Sequence, residues 1–576
     1  MALTAAALMA ALGVAACSSS GNGGGGSGNT SSNGSSSTPS SAPSTNSGGG
    51  TSGLVAQDIN PQPVSKLKQG GTIVWGLDQF STQWNYNQTD GPESSTANVM
   101  DAIMPIPFVS DSKANVTPNP DYVTSAAQTS ASPQTIELKL NPKAKWSDGS
   151  SITEADYAAT WKANNGKNKA YQVASSTGFD QVASVTQGKN KFDVIIKFAK
   201  PFVDWKALYA NPLYPAKYNN DPNLFNKGYL SKIPVTGGPF GNPQFSQSAQ
   251  TVTVTPNPKW WGNKPMLDKI VFKAEQSTAA NQAFVNGEID YVFDVAVDPA
   301  DYKQVKSASG GHVTLAAGPD YRQFTFNGTH GFMTDQKVRQ AIAMATNRTA
   351  LIKSDLTGIP WPDIPLGNHF YMNSQAGYQD NTGTIGTYDA GKAKQMLEAD
   401  GFKMNGGYYA KGGKPLEINF TIPAGIASSK NEGELFQAMM KVIGVKVDIK
   451  TVPSNDFFDK YVIPGNFDVS PFSWLGTPFP ISSSLSIYKS PKAGGGQNFT
   501  GIANPTVDKY LSQAVSATDQ AQATALVQQA DKALFQEVHT LTLFQRPQMC
   551  GVKNGLANLG SFGFASIDYT KIGYTK

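Results

Sequence analysis

The feature that most restricts how this chain can fold lies between residues 416 and 452. Leu416, Ile418, Phe420 and Ile422 fall on one side of an extended run, residues 432–443 read as a helix, and residues 445–452 read as a second strand. A strand, a helix and a strand in that succession return the chain parallel to where it started, with the helix on a sheet face. The outcome is an α/β architecture. Further strands are expected at 71–76, at 135–140 and 192–198 with period-two alternation, and at 251–255, where Pro256 stops the run. Helices are expected at 335–352, 390–399 and 518–535. Asp389 is placed to cap the second of these and Gly401 to end it. No repeat at solenoid spacing is visible.

At 576 residues the chain is too long for one core, so several domains are expected. Its 46 basic and 42 acidic residues nearly balance, at a net charge of +4, with no basic block or basic-aromatic stripe. Nucleic acid is therefore excluded as the main partner. The two cysteines, Cys17 and Cys550, stand almost a chain length apart. That excludes a disulfide framework, and no Cys/His spacing fits zinc. Cys550 follows the apolar run 541–544 and reads as a buried, unreactive thiol. His312, His330, His369 and His539 are scattered and adjoin no nucleophile elbow, so the chain does not read as an enzyme, and no metal or cofactor is expected.

Residues 3–16 are apolar or small, too few to span a bilayer permanently but suited to a signal-peptide core. Val14-Ala15-Ala16-Cys17 resembles a bacterial lipobox, which implies a diacylated Cys17, although no Lys or Arg precedes the apolar run. From Ser18 to Gly53 only Ser, Gly, Asn, Thr, Pro and Ala occur. Such a composition buries no apolar surface and reads as a flexible coil spanning about 30–35 Å. Periodic patterning starts near Lys66, so 1–17 is read as signal and anchor and 18–65 as tether.

A series of turn and cap motifs punctuates the body. Lys145-Trp146-Ser147-Asp148-Gly149 ends a strand in a tight turn, and Thr153 can cap the helix that follows. Gly237-Gly238, in Pro234-Val235-Thr236-Gly237-Gly238-Pro239-Phe240, suits a backbone turn that few residues tolerate. Further along stand Asn257-Pro258-Lys259-Trp260-Trp261, Gly287-Glu288-Ile289-Asp290, Phe326-Asn327 with Val338-Arg339-Gln340-Ala341-Ile342, Leu397-Glu398-Ala399-Asp400-Gly401-Phe402, and Asn504-Pro505-Thr506-Val507-Asp508. In this order, over roughly residues 66–550, they resemble the solute-binding family 5 proteins that serve peptide and nickel ABC transporters, in an actinobacterial-like lipoprotein branch. The resemblance implies a type II (class C) periplasmic-binding-protein-like α/β fold of three lobes around a hinged cleft. Lobe I would combine 66–102, 217–318 and 549–576; lobe II would be 103–216 and lobe III 319–548. The chain crossings near Gly318 and Gln548 would form the hinge.

In peptide-binding relatives a third-lobe strand ends in Gly-Trp, and an aspartate three residues on pairs with the ligand's amino group. Here Ser473-Trp474 is followed by Thr477 at that position, and Asp90, in the Asp90-Gly91 loop, is the candidate replacement acid. The ligand-binding residues implied are thus Asp90, Gly91, Ser473, Trp474 and Thr477. Trp84, Tyr86, Trp361 and Tyr371 are further aromatic candidates for the cleft. The resemblance implies a monomer, lipid-anchored on the outer face of the cell membrane, that delivers oligopeptides or a similar bulky solute to ABC permease subunits. The alternative is a lipoprotein of the same fold that binds a glycolipid or cell-wall precursor and acts in envelope assembly without a transporter.

Overall fold

The computed structural model describes residues 53–576. The expected signal segment, Cys17 and most of the Ser/Gly-rich stretch lie outside them. Ten strands form one mixed sheet: β1 (Thr72–Leu77), β2 (Phe240–Ser246), β3 (Thr251–Pro256), β4 (Lys269–Ala274), β5 (Tyr291–Val295), β6 (Gly311–Phe326), β7 (Glu417–Pro423), β8 (Lys446–Val452), β9 (Val469–Leu475) and β10 (Thr540–Lys553). They lie in the order β8-β7-β9-β6-β10-β5-β1-β4-β3-β2. The β-α-β unit read from the sequence is present. β7 and β8 pair in parallel from Glu417 opposite Lys446 to Pro423 opposite Val452, with the helix Ala427–Val442 between them. That helix buries Phe436 and Met440 and brings Gly433 against Phe420 and Ile449.

β6 and β10 hold the sheet together. They run antiparallel for 16 and 14 residues, so β6 spans roughly 50 Å. The Gly311–Ala317 part of β6 pairs with 547–553 of β10, which there also pairs with β5. The Tyr321–Thr325 part pairs with 540–545 of β10 and with β9. Between Ala317 and Tyr321 the register slips, at Gly318, Pro319 and Asp320. A Cβ on Gly318 would stand 2.9 Å from the Gln548 nitrogen and 3.0 Å from the Arg546 carbonyl, so the two backbones pass too closely there for any side chain.

Two large apolar clusters flank this crossing, and the second extends across it, from Phe284, Val292 and Val305 to Phe324 and Phe420. On the β1 side Trp75 meets Tyr291 edge-on at 4.5 Å and stacks on Tyr569 at 5.8 Å. The same cluster takes in Ile136, Leu138, Val194 and Ile196 of a four-stranded antiparallel sheet (Val123–Ala131, Gln134–Leu140, Asp193–Phe198 and Val182–Gln187), packed by the helix Glu154–Asn164. On the β9 side Phe324, Phe420 and Phe436 form the centre of another cluster. Cys550 is fully buried, and burial pushes its thiol up to about 11, as an inert core residue requires. No helix among the described residues is long and apolar enough to cross a membrane.

The local signals act largely as read. The Asp148-Gly149 turn closes with Gly149 at φ +94°, and Asp156 accepts the Thr153 N–H at 2.8 Å at the start of its helix. Asp389 accepts the Lys392 N–H, and Gly401 has φ +90°. Three readings change. The helix expected over 335–352 is two helices, Gln336–Met344 and Arg348–Asp355, because Asn347 turns out of the first and its side chain caps the second at Ala350. Residues 54–65, read as tether, are attached: Val55 and Asp58 accept the N–H groups of Ala317 and Leu315, and Asn60 donates to the Leu556 carbonyl. Leu54 and Ile59 supply the apolar contacts that a Ser/Gly composition lacks. Gly237-Gly238 is dictated by close approach and not by a left-handed turn. Both N–H groups donate to the Ile103 carbonyl, and a Cβ on Gly238 would lie 2.6 Å from the Ile103 carbonyl carbon. Gly238→Ala is therefore expected to cost about 1–3 kcal/mol, since backbone must move to admit a methyl group. The check is the urea midpoint of the variant against the parent.

Candidate functional site

The register slip in β6 puts several polar side chains where the two sides of the molecule face each other. β9 pairs with β6 so that Leu475, Trp474 and Ser473 stand opposite Asp320, Tyr321 and Arg322. Trp474 stacks on Phe499 at 5.7 Å and 19°, meets Phe472 edge-on, and keeps part of its surface accessible. Leu475 beside it is 49% exposed, unusual for a strand leucine and consistent with a face awaiting a partner. The Ser473 hydroxyl is buried with no hydrogen-bond partner. Thr477 is engaged locally: its hydroxyl donates to Ser483 at 3.1 Å and accepts the Phe479 N–H at 3.0 Å.

Asp90 and Gly91 lie in the loop before the helix Ser94–Ile103. The Asp90 N–H donates to the Gln88 side chain at 2.6 Å, and its carboxylate accepts the Gln88 amide at 3.3 Å. A Cβ on Gly91 would fall 2.0 Å from the Asn85 carbonyl, so only glycine lets this loop fold back. Among the described residues the hydrogen bonds of Asp90 and Gly91 stay on the β1 side, while Ser473, Trp474 and Thr477 share one strand and its following turn. Of the aromatic candidates, Trp84, Trp361 and Tyr371 are packed in cores, whereas Tyr86 and Trp474 retain accessible surface.

The sequence reading overlooked the carboxylates at the strand ends. Asp78 follows β1, Asp294 lies in β5, and Asp320 lies in the slip of β6. Asp294 has φ 55°, at an irregularity between Val292 and Val295 that re-aims its side chain. Its carboxyl is solvent-accessible yet so enclosed that desolvation pushes it up to about 7, with the charges of Asp320 and Asp78 adding and Arg546 opposing. Arg546 is held by Asp320 at 2.5 Å, and Arg322 binds Glu432 through Nε at 2.8 Å. Both cations are thus already committed to carboxylates. Among the described residues no group of three or more His, Cys, Asp or Glu side chains could hold a metal ion. The only signal for Asp294 would have been an acid inside an otherwise apolar strand.

The two sides also touch directly. The Val203 N–H donates to the Val515 carbonyl at 2.9 Å, and the Ser482 N–H donates to the Asp204 carboxylate at 2.8 Å. Val203 packs among Phe370, Tyr371, Ile481 and Tyr488. Phe564, from the β1 side, joins Tyr321, Leu366 and Met372, with Trp474 against them. Asp204 is buried, and its carboxyl is raised by that burial.

A family model for bacterial extracellular solute-binding proteins, family 5 (middle), matches residues 117–496. The chain belongs to this family. It is 34% identical over 523 residues to the oligopeptide-binding protein OppA of Mycobacterium tuberculosis (strain H37Rv), covering 90% of this chain and 87% of that one. Among solved structures it is similar to a periplasmic EDTA-binding protein, EppA, at TM-score 0.81 and 26% identity, over 91% of this chain and 100% of that one. The oligopeptide-binding protein AppA of Bacillus subtilis, solved with a nonapeptide, shares the fold at TM-score 0.70 and 20% identity, over 89% and 100% of the two chains. As a family 5 member the chain is an extracellular solute-binding protein with the α/β fold of that family.

Two expectations follow. Asp204→Ala strands the Ser482 N–H at a buried contact, a loss of about 1–3 kcal/mol. The population in which the two sides touch should then fall about 5- to 150-fold relative to any separated form, read as a larger radius of gyration in solution scattering. For Asp294, a folded carboxyl held near 7 against an ordinary 3.8 makes the charged form a cost to folding. That cost is absent at pH below the ordinary value, grows as pH rises, and is complete above about 7. Asp294→Asn should therefore raise the thermal midpoint at pH 8 and leave it unchanged at pH 3.5, as scanning calorimetry at the two pH values would read.

Proposed function

We propose that this solute-binding protein captures oligopeptides between its two sides and hands them to the permease subunits of an ABC importer, working as a monomer held at the outer face of the cell membrane through lipid on Cys17. The observation that carries the reading is the β6–β10 pair. It joins the two sides at a register slip where Gly318 bears no side chain and Gln545 donates to the Gly318 carbonyl at 2.7 Å. A rotation there would swing 319–548 against the remainder, with 66–102, 217–318 and 549–576 as lobe I and 103–216 as lobe II. The Asp204–Ser482 and Val203–Val515 bonds are then closure contacts, and the structure described is the closed arrangement. Ligand drives closure only through contacts that it makes with both lobes.

The peptide reading is supported by the mycobacterial relative and by the site's chemistry. Trp474, Tyr86 and Leu475 offer surface for side chains, and the enclosed Asp78 and Asp294 suit polar, positively charged groups. A glycolipid's acyl chain would leave these carboxylates desolvated and unpaired, which favours the peptide over the envelope-assembly alternative.

Titrating the protein with a mixture of oligopeptides should shift its tryptophan emission, because closure changes the surroundings of Trp474. Trp474→Phe should lose most of that shift while still binding. No change in emission, together with no heat of binding at millimolar peptide, would sink the oligopeptide reading.

A further inference from the structure

A second cavity lies on the β1 side of the crossing, between the helix Ser94–Ile103, β5, β10 and the loop 562–567. It has a volume of about 260 Å³ and is lined by Asn98, Asp101, Phe293, Gln548, Phe562 and Phe564, among others. Ligand pockets for whole drug-sized molecules run from about 300 to 1,000 Å³, so this one suits a single side chain or end group. Phe564 also packs in the Trp474 cluster, which makes the cavity an annex of the proposed cleft.

The lining has a one-sided chemistry. Ser94, Ala97, Asn98 and Asp101 recur at helical spacing on one face of their helix, and all four border the cavity. Asp101 accepts no hydrogen bond from the described residues, and no Lys, Arg or His is part of the lining. Asn98, only 8% exposed, donates its amide to the Ser94 carbonyl, and its side-chain oxygen takes no donor. Gln548, 5% exposed, spends its oxygen on the N–H groups of Phe562 and Gly563. The buried Asn98 oxygen and the Asp101 carboxylate are thus the acceptors left open beside a space bordered by aromatic rings. Asp101 is accessible to solvent but so surrounded that desolvation pushes its carboxyl up to about 7. Tyr86, close enough to feel that charge, is pushed up to about 12 by burial first and by Asp101 second. A carboxylate short of solvent gains most from a cation brought to it, and aromatic faces add attraction for the same charge.

We propose that this cavity is a subsite for a cationic group of the bound solute, an ammonium such as a lysine side chain or a peptide amino terminus, with Asp101 as its counter-ion, Asn98 as a second acceptor, and Phe293, Phe562 and Phe564 around its stem. The subsite rests on the oligopeptide reading above, and it supplies the acid that Thr477 does not.

The test is isothermal titration with the tripeptides Ala-Lys-Ala and Ala-norleucine-Ala, each with a free and an acetylated amino terminus, against the parent protein and Asp101→Asn. A hydrogen-bonded charge contributes about 1.5–3 kcal/mol, so the cationic peptide should bind about 10- to 100-fold tighter than its uncharged analogue. Asp101→Asn should erase that preference and leave the acetylated norleucine peptide, which has no cationic group, unaffected, and Asp101→Glu should keep part of it. A preference lost on norleucine replacement assigns the side-chain ammonium; one lost on acetylation assigns the amino terminus. Equal affinity of the parent for all four peptides, or an Asp101→Asn that weakens all four alike, overturns the subsite. A parallel arm uses n-butylammonium chloride against sodium butyrate in thermal unfolding. If butylammonium stabilises the parent and not Asp101→Asn while no peptide binds, the subsite stands and the oligopeptide reading falls. If butylammonium does nothing and peptides bind without charge preference, the subsite falls and the reading stands. The parent protein's own preference decides the matter even if Asp101→Asn does not fold.

Discussion

The hydrogen-bond ladder between β6 and β10 is the constraint on which everything else in this molecule depends. Backbone donors and acceptors in a buried strand must be paired, so a 16-residue strand that crosses between two cores carries its partner across with it. The two cores become rigid where pairing is regular and adjustable only where it slips. That slip falls at Gly318, Pro319 and Asp320, opposite Arg546, and there the backbones approach too closely for a side chain. A larger residue at 318 would force the two backbones apart at this slip.

The electrostatics follow from the same geometry. Strand ends that converge on the crossing bring Asp78, Asp294 and Asp320 into one region, where the protein around Asp78 and Asp294 raises their carboxyls although both keep accessible surface. The two arginines nearby are already held, Arg546 by Asp320 and Arg322 by Glu432. The excess negative charge is therefore uncompensated from within. By contrast the polar cluster of His369, Asp531, Asn381 and Tyr488 is sealed, with His369 and Asp531 joined at 2.7 Å and both fully buried, and the Asn381 amide donating to Asp531 while its oxygen takes no donor. It reads as reinforcement of one side and not as part of the site.

Much of the framework was legible along the chain because it depends on neighbours in sequence. The β7–helix–β8 unit, the Asp389 cap, the Gly401 stop and the Asp148-Gly149 turn all follow from side chains within a few residues of the backbone they serve. The break at Asn347 was missed because its cap competes locally with a helical pattern continuing on both sides. The attachment of residues 54–65 was missed for another reason: their partners, Leu315, Ala317, Leu556 and Ser561, lie hundreds of positions away. The glycines at 237 and 238 gave the right identity with the wrong cause, since a close approach and a turn look alike in sequence.

The sequence alone determined the α/β class, the positions of most elements and the family, because periodicity, caps and turns are short-range physics that each segment expresses independently. Tertiary structure alone decided which side chains share a space. It set Thr477 into its own turn, tied Asp90 to Gln88, and surrounded Asp78, Asp101 and Asp294, where desolvation changes what a carboxyl can do. Desolvation depends on everything packed around a group, and that is known only once distant strands have met.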